Sequence, residues 1–211
     1  MTTVPKGPAT AKGEATRAFL LRTAAQVFAE RGYAGTALTD LIAASGLTKG
    51  AFYFYFQSKA ALALAVLRDQ QGRWLGQVGD RVLAAGTPAE QFRALTPVML
   101  ELLAAEPGAW SMTRLTKDLA ADPATAGEVS KPMGDWVGFV ADIVRRGQAD
   151  GDLRSGLDPH DVAIALVGAF DGLKALTDVL DPGAQASEAF ARRADVLLAL
   201  VERGLLVESA G

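Results

Sequence analysis

No cysteine occurs among the 211 residues of the chain, and histidine occurs once, at His160. The first absence removes disulfide scaffolds, thiolate metal sites and cysteine nucleophiles. The second leaves no histidine pair for zinc and no base for a Ser/His/Asp triad away from one position. Glycine-rich phosphate loops and paired His/carboxylate spacings are also missing, so a helical enzyme has little support. No apolar run approaches the ~20 residues that a membrane span needs. Alternation of apolar and polar residues, the mark of a half-buried strand, is absent as well. The expectation is a soluble, cytoplasmic, all-α protein, not an enzyme, without cofactor or metal and without a membrane partner.

What is present is ordinary globular material, 50% apolar and 21% charged, enough for a sizeable core. The formal charge of -3 is unevenly spread. Residues 1–59 hold seven basic side chains against three acidic ones, a net +4, which leaves -7 for the remainder. A basic head on an acidic body suits nucleic-acid binding, although an ordinary solvated surface would show the same modest excess. Residues 1–13 are polar and carry Pro5, Gly7, Pro8 and Gly13, so they read as a flexible arm and not a signal peptide.

Beyond this arm, helical periodicity covers most of the chain. Leu20, Ala24, Val27 and Phe28 stripe a helix over 14–31 that stops at Gly32. Short helices over 38–45 and 49–56 flank Gly46, and Ser58 opens a longer one to about residue 85. Thr87-Pro88 starts the next, ended near Pro107-Gly108. Further helices are predicted over 110–119, 132–149, 159–180 and 187–207, with 124–131 ambiguous.

The informative stretch is Thr36 to Lys59. Two short helices around a glycine turn form the helix-turn-helix pattern. Leu41, Ile42, Leu47 and Phe52 supply its inner face. Outward-facing residues of the second helix can enter a major groove ~12 Å wide. Thr48 and Lys49 begin that helix, and Gly50 and Ala51 are small enough for close approach. Tyr53 and Tyr55 carry hydroxyls that suit phosphate, whereas Phe52 and Phe56, four apart, read as core. Lys59 can hold a phosphate as a point charge. Packing of two helices without DNA would explain the glycine and the leucines equally well, but not Thr-Lys-Gly-Ala followed by aromatics and Ser-Lys.

At these residues the segment resembles the TetR family of regulators. That pattern runs from an apolar first helix ending in Gly-Tyr or Gly-Phe, through a threonine and an Ile-Ala-x-x-Gly turn, to Tyr-x-x-Phe and a lysine. Here it reads Val27-Phe28, Gly32-Tyr33, Thr36, Ile42-Ala43-Ala44-Ser45-Gly46, Tyr53 to Phe56 and Lys59. The resemblance implies a homodimer that sets two recognition helices in successive major grooves of a pseudo-palindromic operator in double-stranded DNA. It implies repression relieved by a small-molecule effector that moves the fourth helix. It carries the DNA-binding role to Thr36, Thr48, Lys49, Gly50, Ala51, Tyr53, Tyr55 and Lys59. The position before Phe56 is often histidine in the family and is Tyr55 here, which changes its reach. The implied organisation is an arm over 1–13, a helix-turn-helix DNA-binding domain over 14–60 and a helical ligand-binding and dimerisation domain over 61–211.

Within the family the chain is similar to the γ-butyrolactone autoregulator receptors. The likeness rests on Leu47 to Ala51, Tyr53 to Lys59, the Ala-Leu-Ala-Leu-Ala-Val run that comes next, and a lone Trp136. It implies that Trp136 lines a signal pocket with Gln70 as polar partner; the receptors' pocket threonine stands here as Ala169. Trp110, Arg114, Phe139 and Phe170 complete the ligand-binding candidates, each with a plain alternative as core or, for Arg114, as a salt bridge. Asp171 interrupts an apolar stretch and either faces solvent or faces the pocket. Ala165, Gly168, Ala169, Gly172, Ala191, Ala194, Leu198 and Val201 suit close packing across a two-fold axis. A drug or metabolite sensor, or a ligand-binding module without DNA function, remains the alternative.

Overall fold

Local capping sets where the helices begin. The computed structural model describes residues 10–105, 109–181, 183 and 186–207, the side chains of 109–113 excepted. Among these residues there are nine helices and no strand. Helix α1 (Ala11–Arg31) starts inside the expected arm because the Thr10 hydroxyl accepts the Gly13 N–H at 3.2 Å. Glu14 then complements the helix dipole in the first turn. The chain leaves α1 through Gly32 at φ +71°, a left-handed conformation that favours glycine.

Helix α2 (Leu38–Ser45) is capped by Asp40, which accepts the Ala37 N–H at 2.9 Å, and ends at Gly46, φ +66°. Helix α3 (Lys49–Tyr55) is capped by the Thr48 hydroxyl, 3.2 Å from the Ala51 nitrogen. Helix α4 (Lys59–Leu83) follows Ser58, whose hydroxyl accepts the Ala61 N–H at 3.0 Å. Helix α5 (Pro88–Ala105) opens on a reciprocal capping box: Glu90 accepts the Thr87 N–H at 2.8 Å and Thr87 accepts the Glu90 N–H at 3.3 Å. Helices α6 (Ala109–Ala121), α7 (Ala126–Asp150), α8 (Pro159–Leu180) and α9 (Ala186–Leu205) complete the series.

The largest departure from expectation is the start of α7. Pro132, expected as a first helical residue, lies inside the helix. The true start is built by a turn, in which Asp122 accepts the Ala124 N–H at 2.9 Å and Thr125 donates its buried hydroxyl to the Leu119 carbonyl at 2.6 Å. Val129, buried ahead of the proline, anchors that first stretch in the core.

The chain divides into two compact units, Met1–Arg73 with Gly108–Pro132 and Trp74–Pro107 with Met133–Gly211. The boundary expected at 60/61 is not where the units divide: the first part of α4 and all of α6 go with the N-terminal helices. The cause is core volume. Leu20, Phe28, Leu41 and Phe52 share one cluster with Leu62, Val66 and Leu67 of α4 and Leu115 and Leu119 of α6. Helix α1 with the two short helices α2 and α3 cannot bury enough apolar surface alone.

The second unit has its own core around Val78, Val82, Phe92, Val140, Ile143 and Val144. Its last turn is tied down where Leu153 and Leu206 form an isolated antiparallel bridge. Arg154 donates to the Leu205 carbonyl at 2.8 Å, and Val207 donates to that of Asp152 at 2.9 Å. Leu153 sits against Gly147, where an added Cβ would lie 2.3 Å from the leucine Cδ1. No single helix among the described residues is long and apolar enough to cross a membrane.

Candidate nucleic-acid interface and apolar cleft

The outer surface of α3 is set by what its inner surface must do. Phe52 is 0% exposed and Phe56 is buried beside it, their rings 6.5 Å apart. That fixes the helix rotation and turns Thr48, Lys49 and Gly50 outward, with Ala51, Tyr53 and Tyr55 half-buried. Tyr53 stands edge-on to Phe52, and Tyr55 packs against the core cluster. Phe54, which no motif in the sequence singles out, is 63% exposed on the same short helix.

Gly50 lies on that outward face. An added Cβ there would meet nothing within 4 Å. Glycine in a helix costs about 1 kcal/mol relative to alanine. No neighbour within the chain requires that sacrifice, and the same open space surrounds other helical glycines such as Gly72, Gly134 and Gly168.

Two residues expected to face DNA are engaged by hydrogen bonds within the chain. Thr36 is 2% exposed, and its hydroxyl donates to the Gly32 carbonyl at 2.7 Å. Lys59 donates to the carbonyls of Tyr33 at 2.9 Å and Thr36 at 3.0 Å, with its ammonium 4.2 Å from the Tyr33 ring centre. The turn after α1 presents carbonyls that need donors, and Lys59 supplies them. Both residues brace the frame that holds α3. On the other side of Tyr33 its N–H reaches the Asp118 carboxylate at 3.3 Å. Burial, and then the Asp122 charge, push the Tyr33 phenol above its ordinary value.

Within the second unit, α5, α7, α8 and α9 wall a cleft that is partly open to solvent. Trp136 and Phe170 line it, together with Phe92 and Met99. Thr96 and Asp171 are its polar side chains besides the Trp136 indole. Phe139 is absent from the lining and stacks on Trp136, ring centres 5.8 Å apart and 20° from parallel. Phe170 is held edge-on by Phe190 at 5.0 Å.

Gln70 and Arg114 belong to the first unit and are not in this lining. Arg114 is exposed, its guanidinium 2.9 Å from where a Cβ on Gly32 would stand. The side chain of Trp110 lies outside the described residues. Gln71, next to the glutamine expected from sequence, has a buried Oε1 with no hydrogen-bond partner among the described residues.

Leu198 and Val201, expected at a two-fold interface, border the cleft, and Ala194 is buried in the chain itself. Other residues of α8 and α9 do face solvent. Ile164, Leu176, Val179, Val196 and Leu200 are each at least half exposed.

A helix-turn-helix with a bare outward face, in a chain whose second unit walls an apolar cleft, defines a ligand-responsive DNA-binding regulator class. Residues 20–66 match the family described as bacterial regulatory proteins, tetR family. The structure of full-length TylP, a TetR regulator from Streptomyces fradiae, is 30% identical with a TM-score of 0.66, covering 94% of this chain and 90% of that one. A structure solved for the control of antibiotic production by bacterial hormones is 28% identical with a TM-score of 0.72, covering 94% of this chain and 100% of that one. The A-factor receptor protein of Streptomyces griseus is 28% identical over 160 residues, 75% of this chain and 54% of that protein. This chain therefore spans about half the length of that relative. The chain belongs to the TetR family and is a transcriptional regulator.

Proposed function

We propose that the protein binds a pseudo-palindromic operator as a homodimer, represses transcription there, and is released by a small effector held in the cleft. The observation that carries the DNA reading is the outward face of α3: exposed Thr48, Lys49 and Phe54 around a glycine that nothing inside the chain requires. Thr48, Lys49, Gly50, Ala51, Tyr53 and Tyr55 are the proposed contacts, with Phe54 added. The exposed apolar residues of α8 and α9 are the proposed two-fold interface, since apolar faces of this kind favour a second copy.

For the effector we propose a γ-butyrolactone-type signal. Support comes from the similarity to the A-factor receptor and from Trp136 in the lining of an apolar cleft. Effector binding releases DNA only through a difference in affinity between two states, and ~100-fold release needs ~2.7 kcal/mol of coupling. A gel-shift titration on DNA beside its own gene, with and without a lactone panel, tests both parts. Affinity that falls steeply with salt and a lactone that releases the complex support the reading. DNA binding without lactone response leaves the regulator and moves the effector to another class. Absence of specific DNA binding removes the proposal.

A further inference from the structure

We infer that Thr96 holds the polar end of the effector in the cleft. That end is a neutral carbonyl, of ketone, ester or lactone type, on an apolar body. The inference rests on the cleft being the effector site and names the side chain that reads what enters it.

Helical spacing puts Thr96 in the wall. Phe92, Leu95, Thr96 and Met99 follow one another at i, i+3, i+4 and i+7 on α5, and all four line the cleft. Thr96 is the polar member of this otherwise apolar stripe, half-buried beside Leu95. A threonine hydroxyl inside a helix commonly turns back onto the carbonyl one turn earlier. Thr16 of α1 does so, donating to the Lys12 carbonyl at 2.9 Å. The Thr96 hydroxyl makes no hydrogen bond to any described residue, and it is not sealed from solvent. Its hydrogen-bonding capacity is left to whatever fills the cleft.

The rest of the wall decides what Thr96 is matched to. The Trp136 indole, on α7, likewise makes no hydrogen bond to any described residue. It can only donate, whereas the Thr96 hydroxyl donates or accepts. Asp171, the carboxylate in the lining, is already engaged within the chain, so a hydroxyl and an N–H donor are what the wall offers. A ligand carbonyl accepts from either. A wholly apolar ligand would strip water from the hydroxyl and put nothing in its place. An anionic end would meet the Asp171 charge and, among the described residues of the lining, no lysine or arginine to offset its lost hydration. Valine has the outline of threonine and would line an apolar wall without an unsatisfied hydroxyl, so the oxygen at this position argues for a ligand-facing role.

The test is displacement of the neutral dye N-phenylnaphthylamine from the intact chain by methyl hexyl ketone, octane and octanoate, probes of equal carbon count. Trp136→Ala must weaken dye binding; if it does not, the dye reports another place and both the cleft reading and this inference fall. With the dye in the cleft, Thr96→Val should weaken the ketone about fivefold or more and leave octane within about twofold. Thr96→Ser, which keeps the hydroxyl, should hold the ketone within about threefold of the unaltered protein. Octanoate should bind the unaltered protein about tenfold or more weaker than the ketone. A ketone indifferent to Thr96→Val, or a loss shared equally by octane, overturns the inference while the cleft reading stands. Octanoate binding as well as the ketone overturns it too. Should Thr96→Val fail to fold, Thr96→Ala removes the same hydroxyl and gives the same comparison. Independently of any variant, the carbonyl stretch of the ketone bound to the unaltered protein should lie below its frequency in hexane, and an unshifted band overturns the inference.

Discussion

The two units use the same material, apolar helical faces and a few polar side chains, to opposite ends. In the first, the core closes: Phe52, Leu41, Leu62 and Leu119 are almost wholly buried. Polar groups such as Lys59, Thr36 and Asp118 are consumed in fastening the turn between α1 and α2. What remains available lies outside, on α3. In the second, helices that could have met in a solid core stand apart around a cleft, and a carboxylate is admitted to its wall. A surface that reads another molecule needs a rigid backing, whereas a chamber that responds to one needs incomplete packing.

The comparison breaks most visibly at Phe52. Phe52→Ala should cost about 3–5 kcal/mol, because a fully buried aromatic leaves a cavity. Urea denaturation would show it, and DNA binding should vanish with the fold of the first unit. By contrast Trp136→Ala, on a wall that already borders open space, should cost markedly less.

Next comes the brace. Lys59→Met should destabilise the protein by about 1–3 kcal/mol by leaving the Tyr33 and Thr36 carbonyls unsatisfied. The salt dependence of DNA affinity should stay the same in this variant. A slope reduced by about one unit would mean that Lys59 holds a phosphate after all.

Gly50→Ala sharpens the contrast from the other direction. Stability should rise by up to about 1 kcal/mol from helix propensity, since an added Cβ meets nothing. Operator affinity measured by gel shift should fall. A variant that gains stability and keeps its affinity would remove the case for close approach at this position.

The smallest effect belongs to Glu90. Hydrogen bonds from the Thr87 N–H and then its hydroxyl hold the Glu90 carboxyl below its usual range, with Arg93 adding to the effect. The folded value is depressed, so the stabilisation is full above the ordinary carboxylate range and is lost as pH falls through the folded value. Thermal melts of Glu90→Gln across about pH 3 to 7 should show a slightly flatter acid limb than the unaltered protein.

Much of this was readable in the chain. Gly46 between two short apolar segments, Thr48 ahead of Lys49 and the Phe52/Phe56 spacing put α2 and α3 where they are, because turns and caps are local chemistry. Thr87 and Ser58 marked helix starts for the same reason. What stayed hidden was decided at long range. That Lys59 turns back to the carbonyl of a residue 26 positions earlier cannot be seen in a motif that shows only a lysine. The grouping of α6 with the N-terminal helices comes from shared volume around Leu119, which leaves no local mark. Pro132 misled because its local preference was outweighed by the Asp122–Thr125 turn and by burial of Val129. In the cleft, the family resemblance named Trp136 and Gln70; Trp136 and Phe170 border the cleft, while Gln70 and Arg114 are not in its lining.

The clasp between Leu153 and Leu206 has a practical consequence for anyone shortening this chain. A deletion that removes Leu205 to Val207 strips two backbone hydrogen bonds and uncovers a leucine wedged against Gly147. Trimming the tail would therefore loosen the far end of α7 from a distance, and a fusion partner joined directly after Val207 would pull on the same knot.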